Sequence, residues 1–367
     1  MTDSDTIAAL RLQRIPNIGD ITAKKLISHC GSPTAVFEDK RQNLLKIDGI
    51  GAFSIAHLHD KQHLEEAQTE VEFIKRNDIK VTYFMDADYP EYLRHCVDSP
   101  LVLFSKGKIH LAQRKIIAVV GTRNITSYGT AFCEQFIEDI APLNPIIVSG
   151  FAYGVDICVQ KAAIKHGLQT IGCLAHGLNQ IYPKVHAKFQ ADVEKNGGFY
   201  TEFWSTSEPE RENFLKRNRI IAGMSEATIV IESAEKGGSL VTADIAHSYN
   251  RDVFAVPGRA QDKYSKGCNT LIKQQKAQML TSAADLVYVL NWELEDKKSK
   301  PIQKQLFVEL DATEQLIYTY LQANGKQVLD TIAVTCKLPV FKVSSTLLTM
   351  EMKGLIRPLP GKVFEAL

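Results

Sequence analysis

The chain has 367 residues, which is enough for two or three domains, and its apolar (45%) and charged (23%) fractions are those of an ordinary soluble globular protein. A formal net charge of +1 excludes binding of polyanions through bulk charge, so any nucleic-acid site must be a local concentration of Lys and Arg. Seven scattered cysteines without a C-x-x-C pair, an N-terminus unlike a signal peptide and the lack of a long apolar run predict a cytoplasmic protein with no membrane partner.

Residues 1–70 are predicted to be helical. Two turns, IPNIGDITAKKL at 15–26 and IDGIGAFSIAHL at 47–58, each place a glycine before an amphipathic helix, as in helix–hairpin–helix units. The free amides of such helices could meet a DNA phosphate, or the turns could simply pack short helices together. Few cations occur there beyond Lys24 and Lys25, which favours the packing role.

Residues 71–290 alternate strand patterns with helix patterns. Five β-branched runs, which begin at 115, 145, 170, 227 and 252, each end in a turn rich in glycine. Continuous apolar runs suit parallel strands that are buried on both faces, and the alternation predicts a doubly wound α/β domain. Ligands of such sheets collect at the carboxyl ends of the strands, where small residues let backbone amides approach a phosphate.

The turns carry candidate phosphate-binding residues. Gly121, Thr122 and Arg123 follow the first run, and an arginine there can hold a phosphate through two hydrogen bonds or can pair with a neighbouring helix. Ser149 and Gly150 follow the second run, and Gly237, Gly238 and Ser239 follow the fourth, beside Lys236. The pair of glycines could also be an ordinary loop ahead of a helix that Ser239 caps.

The segment FLKRNRIIAG at 214–223 combines charge with an aromatic ring. Lys216, Arg217 and Arg219 crowd beside Phe214, before an expected apolar helix, and Asn218 is expected to cap that helix or brace a loop. Basic groups follow a phosphate backbone while an aromatic face stacks on a base, although a charge run is usually only a solvated surface. The position of this run among the sheet-edge turns favours binding.

An enzyme that binds or hydrolyses nucleotides is the alternative. The chain lacks G-x-G-x-x-G after the first strand and lacks a G-x-x-x-x-G-K-[ST] loop. Hydrolysis would need a poised carboxylate, for which Asp156, Glu202 and Glu232 are the candidates. Asp156 is expected to cap a helix and Glu232 to pair with a cation, so no catalytic residue and no cofactor are expected. The cluster His57, His59 and His63 fits a solvated helix face better than a metal site.

The C-terminal part is predicted to be a winged helix at 307–367, after a polar linker at 291–306. Its presumed recognition helix, 340–354, contains only Lys342 and Lys353 as cations. Contact with a protein or a regulatory role is therefore at least as well indicated as binding of duplex DNA.

Six ordered motifs carry a resemblance to a known family. They read DADYPEYLRHCVDSPLVLFSKG, VVGTRNITSYG, SGFAYGVD, GLNQIYP, RNRIIAGMSEATIVIESAEKGGSLVTA and AVPGRAQDKYSKGCNTLI. The chain resembles the DNA-processing protein A family (DprA, also called Smf) over nearly its whole length. The chain departs from the usual pattern at Tyr153, Val155, Gln160, Leu215 and 273–277, which leaves the shape of the pocket near 153 and 275 open.

The resemblance implies an extended Rossmann-like domain (71–290) behind a helical domain (1–70) of the sterile-alpha-motif type. It implies a homodimer that has no enzymatic activity. This homodimer would protect incoming single-stranded DNA and load RecA during natural transformation. A single-strand-binding protein is a further partner to consider. Family members place basic residues after the Tyr-Pro pair at 182–183, which points to Lys184 and Lys188. We expect positions 123, 188 and 219 to converge along one rim of the sheet.

Overall fold

A computed structural model of the chain describes residues 1–112, 114–292, 310–359 and 362–366. Contacts between Cα atoms divide the chain into two units, Met1–Leu294 and Glu295–Leu367. The helical segment and the large sheet belong to the first unit, and each unit is described by itself below.

The first unit begins with five helices, namely α1 (Asp3–Arg14), α2 (Asp20–Cys30), α3 (Pro33–Glu38), α4 (Arg41–Leu44) and α5 (Lys61–Arg76). Their apolar sides share one core, which includes Leu10, Leu26 and Val36. Helix α5 runs across the boundary that the sequence placed at residue 70. The helix expected within 47–58 is not formed, because residues 51–58 make tight turns with i to i+3 hydrogen bonds such as Leu58 N to Ile55 O (3.3 Å).

A nine-stranded sheet follows, with strands β1 (Lys80–Tyr83), β2 (Val102–Gly107), β3 (Ile116–Val120), β4 (Ile146–Ser149), β5 (Thr170–Cys173), β6 (Gly197–Thr201), β7 (Ala227–Val230), β8 (Asp252–Ala255) and β9 (Gln278–Met279). Their order across the sheet is β1-β2-β6-β5-β4-β3-β7-β8-β9. The strands from β3 to β9 are parallel, whereas β2 runs antiparallel to both β1 and β6. The five β-branched runs of the sequence are β3, β4, β5, β7 and β8, whereas β6 and β9 were not predicted from the sequence.

The strands of the parallel region are buried on both faces. In β3, Ala118 and Val120 join the core of one face while Ile117 and Val119 join the core of the other. Ala118 pairs with Val148 of β4 on one side and with Thr228 of β7 on the other. Burial of these strands on both faces therefore explains the continuous apolar runs in the sequence, as predicted.

Helices cover the two faces, and they are α6 (Glu91–Arg94), α7 (Ser127–Ile140), α8 (Val155–Lys165), α9 (Gln190–Lys195), α10 (Arg211–Gly223), α11 (Gly238–Ser248), α12 (Lys266–Lys273) and α13 (Ala283–Val289), with two 3-10 helices at Ala141–Leu143 and Lys184–Phe189. Phe136 of α7 and Leu286 of α13 pack on one face, whereas Ile220 of α10 and Ala243 of α11 pack on the other. This arrangement is the predicted doubly wound fold. Because the chain continues from β3 to β4 on one side and reaches β7 on the other, a crevice opens at the carboxyl end of β3.

The second unit contains α14 (Ala312–Asn324), β10 (Gln327–Val328), α15 (Leu329–Thr335), α16 (Val340–Met352), β11 (Ile356–Leu359) and β12 (Val363–Ala366). Three helices pack around Ile317, Ile332 and Leu347, and the strands pair in the order β10-β12-β11. This is the predicted winged helix. Most of the linker predicted at 291–306 lies outside the described residues.

The length and apolar composition of the described helices decide whether one of them could span a bilayer. No single one of them is both long and apolar enough to cross a bilayer. Helices α15 and α16 satisfy length and composition only as a pair, and they are bent by 112°.

Candidate nucleic-acid interface

A pocket of about 760 Å³ occupies the crevice at the carboxyl ends of β3, β4 and β7. We call it the switch-point pocket, and its lining consists of 120–124, Ala152, Tyr153, Asp156, Arg211, Phe214, Leu215, Arg217, Asn218, Ile221, Ser233, Ala234, 236–239, Thr242, Lys263 and Tyr264. These residues come from the turns after β3, β4, β7 and β8, from the first turns of α8 and α11 and from one side of α10. The lining thus includes Gly121, Thr122, Arg123, Phe214, Arg217, Asn218, Gly237, Gly238 and Ser239 of the candidates.

The charge of this lining is strongly unbalanced. It contains five cations, namely Arg123, Arg211, Arg217, Lys236 and Lys263, whereas Asp156 is its one carboxylate among the described residues. All but Arg217 of these cations are exposed to solvent. A nearly neutral chain therefore has the local concentration of positive charge that its composition required for a nucleic-acid site.

Arg123 and Phe214 face each other at the mouth of the pocket. The guanidinium carbon of Arg123 lies 5.1 Å from the centroid of the Phe214 ring. In the part of the chain that the structure describes, no carboxylate forms an ion pair with Arg123 within 4.0 Å. The alternative in which Arg123 pairs with a helix is therefore not seen, and its charge remains available to a phosphate.

The ring of Phe214 has further neighbours. Arg217 approaches it at 5.8 Å, and the ring of Tyr182 packs on it edge-on at 5.9 Å. Phe214 is only partly buried, so this aromatic and cationic group reaches the surface of the pocket.

Arg217 and Asp156 form the floor of the pocket. Arg217 is 4% exposed, and its Nη1 donates hydrogen bonds to the carbonyls of Gly150 (2.8 Å) and Cys173. Burial lowers the pKa of Arg217, and the charge of Asp156 opposes this change. Burial likewise raises the pKa of Asp156, whereas the nearby charge of Arg217 and the hydrogen bond from the amide of Ala152 lower it in part. Asp156 lies in the first turn of α8, whose N-cap is Gly154, so it does not cap that helix as expected.

Ser149 and Gly150 support this floor from outside the lining. The hydroxyl of Ser149 is buried and donates to the carbonyl of Val119 at 2.7 Å. A Cβ on Gly150 would lie 2.6 Å from Oδ2 of Asp156 and 2.7 Å from both terminal nitrogens of Arg217. The absence of a side chain at 150 is therefore what lets the floor close.

The turn after β7 ends in helix α11, whose N-cap is Gly237. The alternative in which Ser239 caps this helix is not seen, because its hydroxyl donates to the hydroxyl of Ser233 at 2.9 Å. Glu232, expected to pair with a cation, accepts hydrogen bonds from the amide (2.9 Å) and the hydroxyl of Thr126 and so fixes the start of α7. Both contacts shape the rim around the glycines.

Arg219 does not line the pocket. Its side chain is buried, contacts Glu202, Asp20 (2.8 Å) and the carbonyl of Asp98, and is therefore turned toward the helical segment. Lys216 also pairs with Glu202, at 2.8 Å. These orientations follow from the start of α10 at Arg211, which lies before the charge run. Because a helix has about 3.6 residues per turn, Lys216 and Arg219 fall on the side opposite Phe214 and Asn218. Asn218 lies within this helix, whose N-cap is Glu210, and does not cap it.

Lys184 and Lys188 lie on the 3-10 helix Lys184–Phe189, outside the pocket lining but beside its rim. The segment touches the rim through Tyr182, which packs on Phe214, and through His186, whose ring lies 5.1 Å from that of Tyr153. Both lysines are exposed, and which of them contacts DNA stays a prediction. The expected convergence of positions 123, 188 and 219 on one rim is not found, because Arg219 is buried elsewhere.

Several lining residues escaped the sequence analysis as binding candidates, namely Tyr153, Arg211, Lys263 and Tyr264. Arg211 could have been found, because it precedes Phe214 and Asn218 by three and seven residues, the spacing of one helix face. Of the other three, Tyr153 lies in the turn after β4, of which the sequence analysis considered only Ser149 and Gly150, and Lys263 and Tyr264 lie in the loop after β8. The closure of these segments over the sheet edge brings the three together. Within the described ranges, no cluster of three His, Cys, Asp or Glu side chains is arranged to hold a metal ion.

Comparisons with known proteins agree with this architecture. The family model of DNA recombination-mediator protein A matches residues 80–291, and that of the DprA winged helix domain matches residues 304–362. Protein Smf of Escherichia coli (strain K12) is 36% identical over 278 residues, which cover 74% of this chain and 74% of that protein. DNA processing protein DprA of Bacillus subtilis (strain 168) is 40% identical over 199 residues, which cover 54% of this chain and 67% of that protein.

Two solved structures share the fold. DprA from Streptococcus pneumoniae superposes with a TM-score of 0.65 at 28% identity and covers 78% of this chain and 98% of its own. DprA from Helicobacter pylori, described as having a unique single-stranded DNA binding mode, gives a TM-score of 0.52 at 27% identity over 58% of this chain and 95% of its own. Motifs, sheet order, winged helix and relatives together show that the chain belongs to the DNA recombination-mediator protein A (DprA) family.

Proposed function

We propose that the switch-point pocket binds the backbone of single-stranded DNA. The observation that carries this proposal is the pairing of an uncommitted cation, Arg123, with a partly exposed ring, Phe214, at 5.1 Å. A guanidinium that holds a phosphate beside a ring that stacks on the adjoining base is the combination that single-strand binders use. The excess of cations over carboxylates in the lining supports the same conclusion.

The aromatic residues favour a single strand over a duplex. Tyr153, Phe214 and Tyr264 line the pocket and are at least partly exposed. Bases of a duplex are stacked on each other, so their faces are not accessible to these rings, whereas the bases of a single strand can be splayed onto them. Because phosphates and ring faces carry little sequence information, we expect binding that is largely independent of sequence.

We further propose that the protein is a mediator and not an enzyme. Asp156, the one carboxylate of the lining among the described residues, is engaged by the amide of Ala152 and the charge of Arg217. Glu202 is engaged by Arg219 and Lys216, and Glu232 is engaged by Thr126. A nucleotide hydrolase at this site would have to use Asp156 as its base; release of a free base or phosphate from nucleotides, followed by mass spectrometry, would support that alternative.

Membership in the family supports the finer part of the proposal. The protein would protect incoming strands during natural transformation and load RecA onto them, in the cytoplasm and as a homodimer. Two linked pockets gain affinity through effective concentration, which a short single site lacks. Faster RecA assembly on strands coated with single-strand-binding protein, and a dimer in sedimentation analysis, are the results expected.

A salt titration with the intact protein tests the central claim. Fluorescence anisotropy would compare labelled oligothymidylate with a duplex of equal length from low to moderate salt. We expect tighter binding of the single strand and an affinity that falls with a slope of roughly −0.7 per neutralised phosphate. Tighter binding of the duplex, or an affinity insensitive to salt, would contradict the proposal.

A further inference from the structure

A second cavity, of about 900 Å³, lies directly beside the switch-point pocket. We call it the β8 groove, and its lining consists of Thr126, Ser127, Tyr128, Glu232, 257–259 and 262–265. Lys263 and Tyr264 line both cavities, so the two spaces meet at these residues. A polymer held in the pocket would therefore pass over these two side chains to reach the groove.

The loop that forms the outer side of the groove is fixed by hydrogen bonds. The side-chain amide of Asn269 donates to the carbonyl of Gly258 (2.9 Å) and accepts from its amide (3.2 Å). The carbonyl of Tyr264 accepts from the amide of Ser233 at 2.7 Å, and the hydroxyl of Tyr128 donates to the carbonyl of Pro257 at 2.9 Å. The groove thus has its shape before any ligand arrives, which limits the entropic cost of binding.

The groove presents the same two kinds of contact as the pocket, but fewer of them. Arg259 and Lys263 are exposed, and among the described residues neither makes an ion pair within 4.0 Å. The ring of Tyr128 is 49% exposed, and the ammonium of Lys263 lies 5.3 Å from the centroid of the Tyr264 ring. Two carboxylates, Glu232 and Asp262, are also present, so the groove lacks the charge excess of the pocket.

This balance decides what the groove can bind. Because the groove has as many carboxylates as cations, it would bind a free anion weakly. A strand that is already bound in the switch-point pocket, however, reaches the groove at high effective concentration. We propose that a single strand bound in the switch-point pocket passes over Lys263 and Tyr264 and continues through the β8 groove. There Tyr128 stacks on a base and Arg259 contacts a phosphate. This inference rests on the proposed binding of single-stranded DNA in the pocket.

A length series of oligothymidylates, from about 4 to 16 nucleotides, tests the path with the intact protein. The variants are Arg259→Gln combined with Tyr128→Ala, and Arg259→Gln alone, which leaves the hydrogen bond from Tyr128 to the loop in place. Lys165→Gln is the matched control, since Lys165 is an exposed cation at the far end of α8 from the pocket.

For the wild type, affinity should rise with length beyond the shortest oligomers. The double variant should bind the shortest oligomers like the wild type and the longest about tenfold more weakly, as expected for a lost stacking contact. Arg259→Gln alone should lower the magnitude of the salt slope by about 0.7 on long oligomers only. In the wild type, 5-iododeoxyuridine near one end of a long oligomer should photocrosslink to Tyr128.

The outcomes separate the two claims. Absence of binding at every length would overturn the proposed function itself. Binding whose affinity does not depend on length, or long oligomers bound equally by the wild type and both variants, would overturn the groove alone. An equal loss on short and long oligomers would also overturn it, because the altered residues would then act within the pocket or on the fold. Absence of the Tyr128 crosslink at all label positions would count against the path as well.

Discussion

Arg219 and Asp20 join two distant parts of the chain, with Nη2 of Arg219 lying 2.8 Å from Oδ2 of Asp20. The contact links α10, which carries much of the pocket, to α2 of the helical segment. Glu202, whose side chain is 1% exposed, binds the same guanidinium, and the second oxygen of Asp20 accepts the amide of Leu101 at 2.9 Å. Each charge of this cluster therefore has partners, and the cluster fixes the helical segment against the sheet.

Arg219→Met should destabilise the protein strongly. It leaves the buried carboxylate of Glu202 with Lys216 as its remaining cation, and the expected loss in free energy of unfolding is about 3–5 kcal/mol. Lys216→Met is the matched control: Lys216 pairs with the same carboxylate but is half exposed, so its loss should be about 0–1 kcal/mol. Urea unfolding measures both. Equal losses would show that Arg219 is not the central cation of the cluster.

Arg123→Ala should weaken binding of single-stranded DNA and lower the magnitude of the salt slope by about 0.7, since one phosphate contact is lost. The exposed position of Arg123 leaves stability nearly unchanged. Anisotropy titrations at several salt concentrations measure the effect, with Lys165→Gln as the control. An unaltered slope would remove Arg123 from the interface.

Phe214→Ala should cost about 1–3 kcal/mol of binding free energy if the ring stacks on a base. Stacking involves no counterions, so the salt slope should stay close to that of the wild type, in contrast to Arg123→Ala. Phe214→Tyr keeps the ring and should restore most of the affinity. If Ala and Tyr at this position bind equally well, the ring takes no part in recognition.

Gly150→Ala should disturb the floor of the pocket. Its new methyl group would lie within 2.7 Å of the Arg217 guanidinium and the Asp156 carboxylate, so these groups must move, at a cost of about 1–3 kcal/mol in stability. Gly238→Ala is the control, because a Cβ there meets no atom within 4 Å. Thermal unfolding compares the two variants. A Gly150 variant as stable as the control would mean that the floor adapts without cost.

His176 gives stability a dependence on pH near neutrality. Nδ1 donates to the carbonyl of Gly177 (2.8 Å) and Nε2 accepts from the amide of Tyr182 (3.2 Å), an arrangement that needs the neutral ring. Burial lowers the pKa of His176, and the charge of Arg217 adds to this effect. The unfolded chain, with an ordinary pKa of about 6.5, then binds the proton more readily than the folded one.

Stability should accordingly fall as the pH drops below about 6.5, by at most about 1.4 kcal/mol per pH unit from this group, until the folded pKa is passed. His176→Gln retains an acceptor without the titration and should show a smaller decrease over the same range. Urea midpoints from pH 7 to pH 5 measure the difference. Parallel pH profiles would assign the dependence to other groups.

The sequence predicted the sheet well because its strands are defined by local pattern. The run IIAVV of β3 is apolar at every position, as a strand buried on both faces requires. Strand β6 begins with Gly197 and Gly198, and β9 has only two residues, so neither has a pattern that composition can reveal.

The pocket was predicted less completely, because its geometry depends on where α10 begins and on contacts far apart in the chain. The charged stretch from 211 to 219 has no apolar period, so its pattern predicts a helix only after it and a ligand contact for Arg219. Its true partner, Asp20, lies 199 residues away, a separation that no local pattern reports. The same holds for Lys263, which reaches the pocket only through the fixed loop after β8.

Helix α10 has Phe214 and Arg217 on one side and the Asp20–Glu202 contacts of Arg219 on the other, and this has a practical consequence for protein engineering. Trimming α1–α5 to obtain a minimal DNA-binding fragment would delete Asp20 and open the Arg219 cluster to water. The helix that presents the aromatic ring would then lose its anchor. A shortened protein would need compensating substitutions at Arg219 and Glu202 before its affinity could be compared with that of the intact chain.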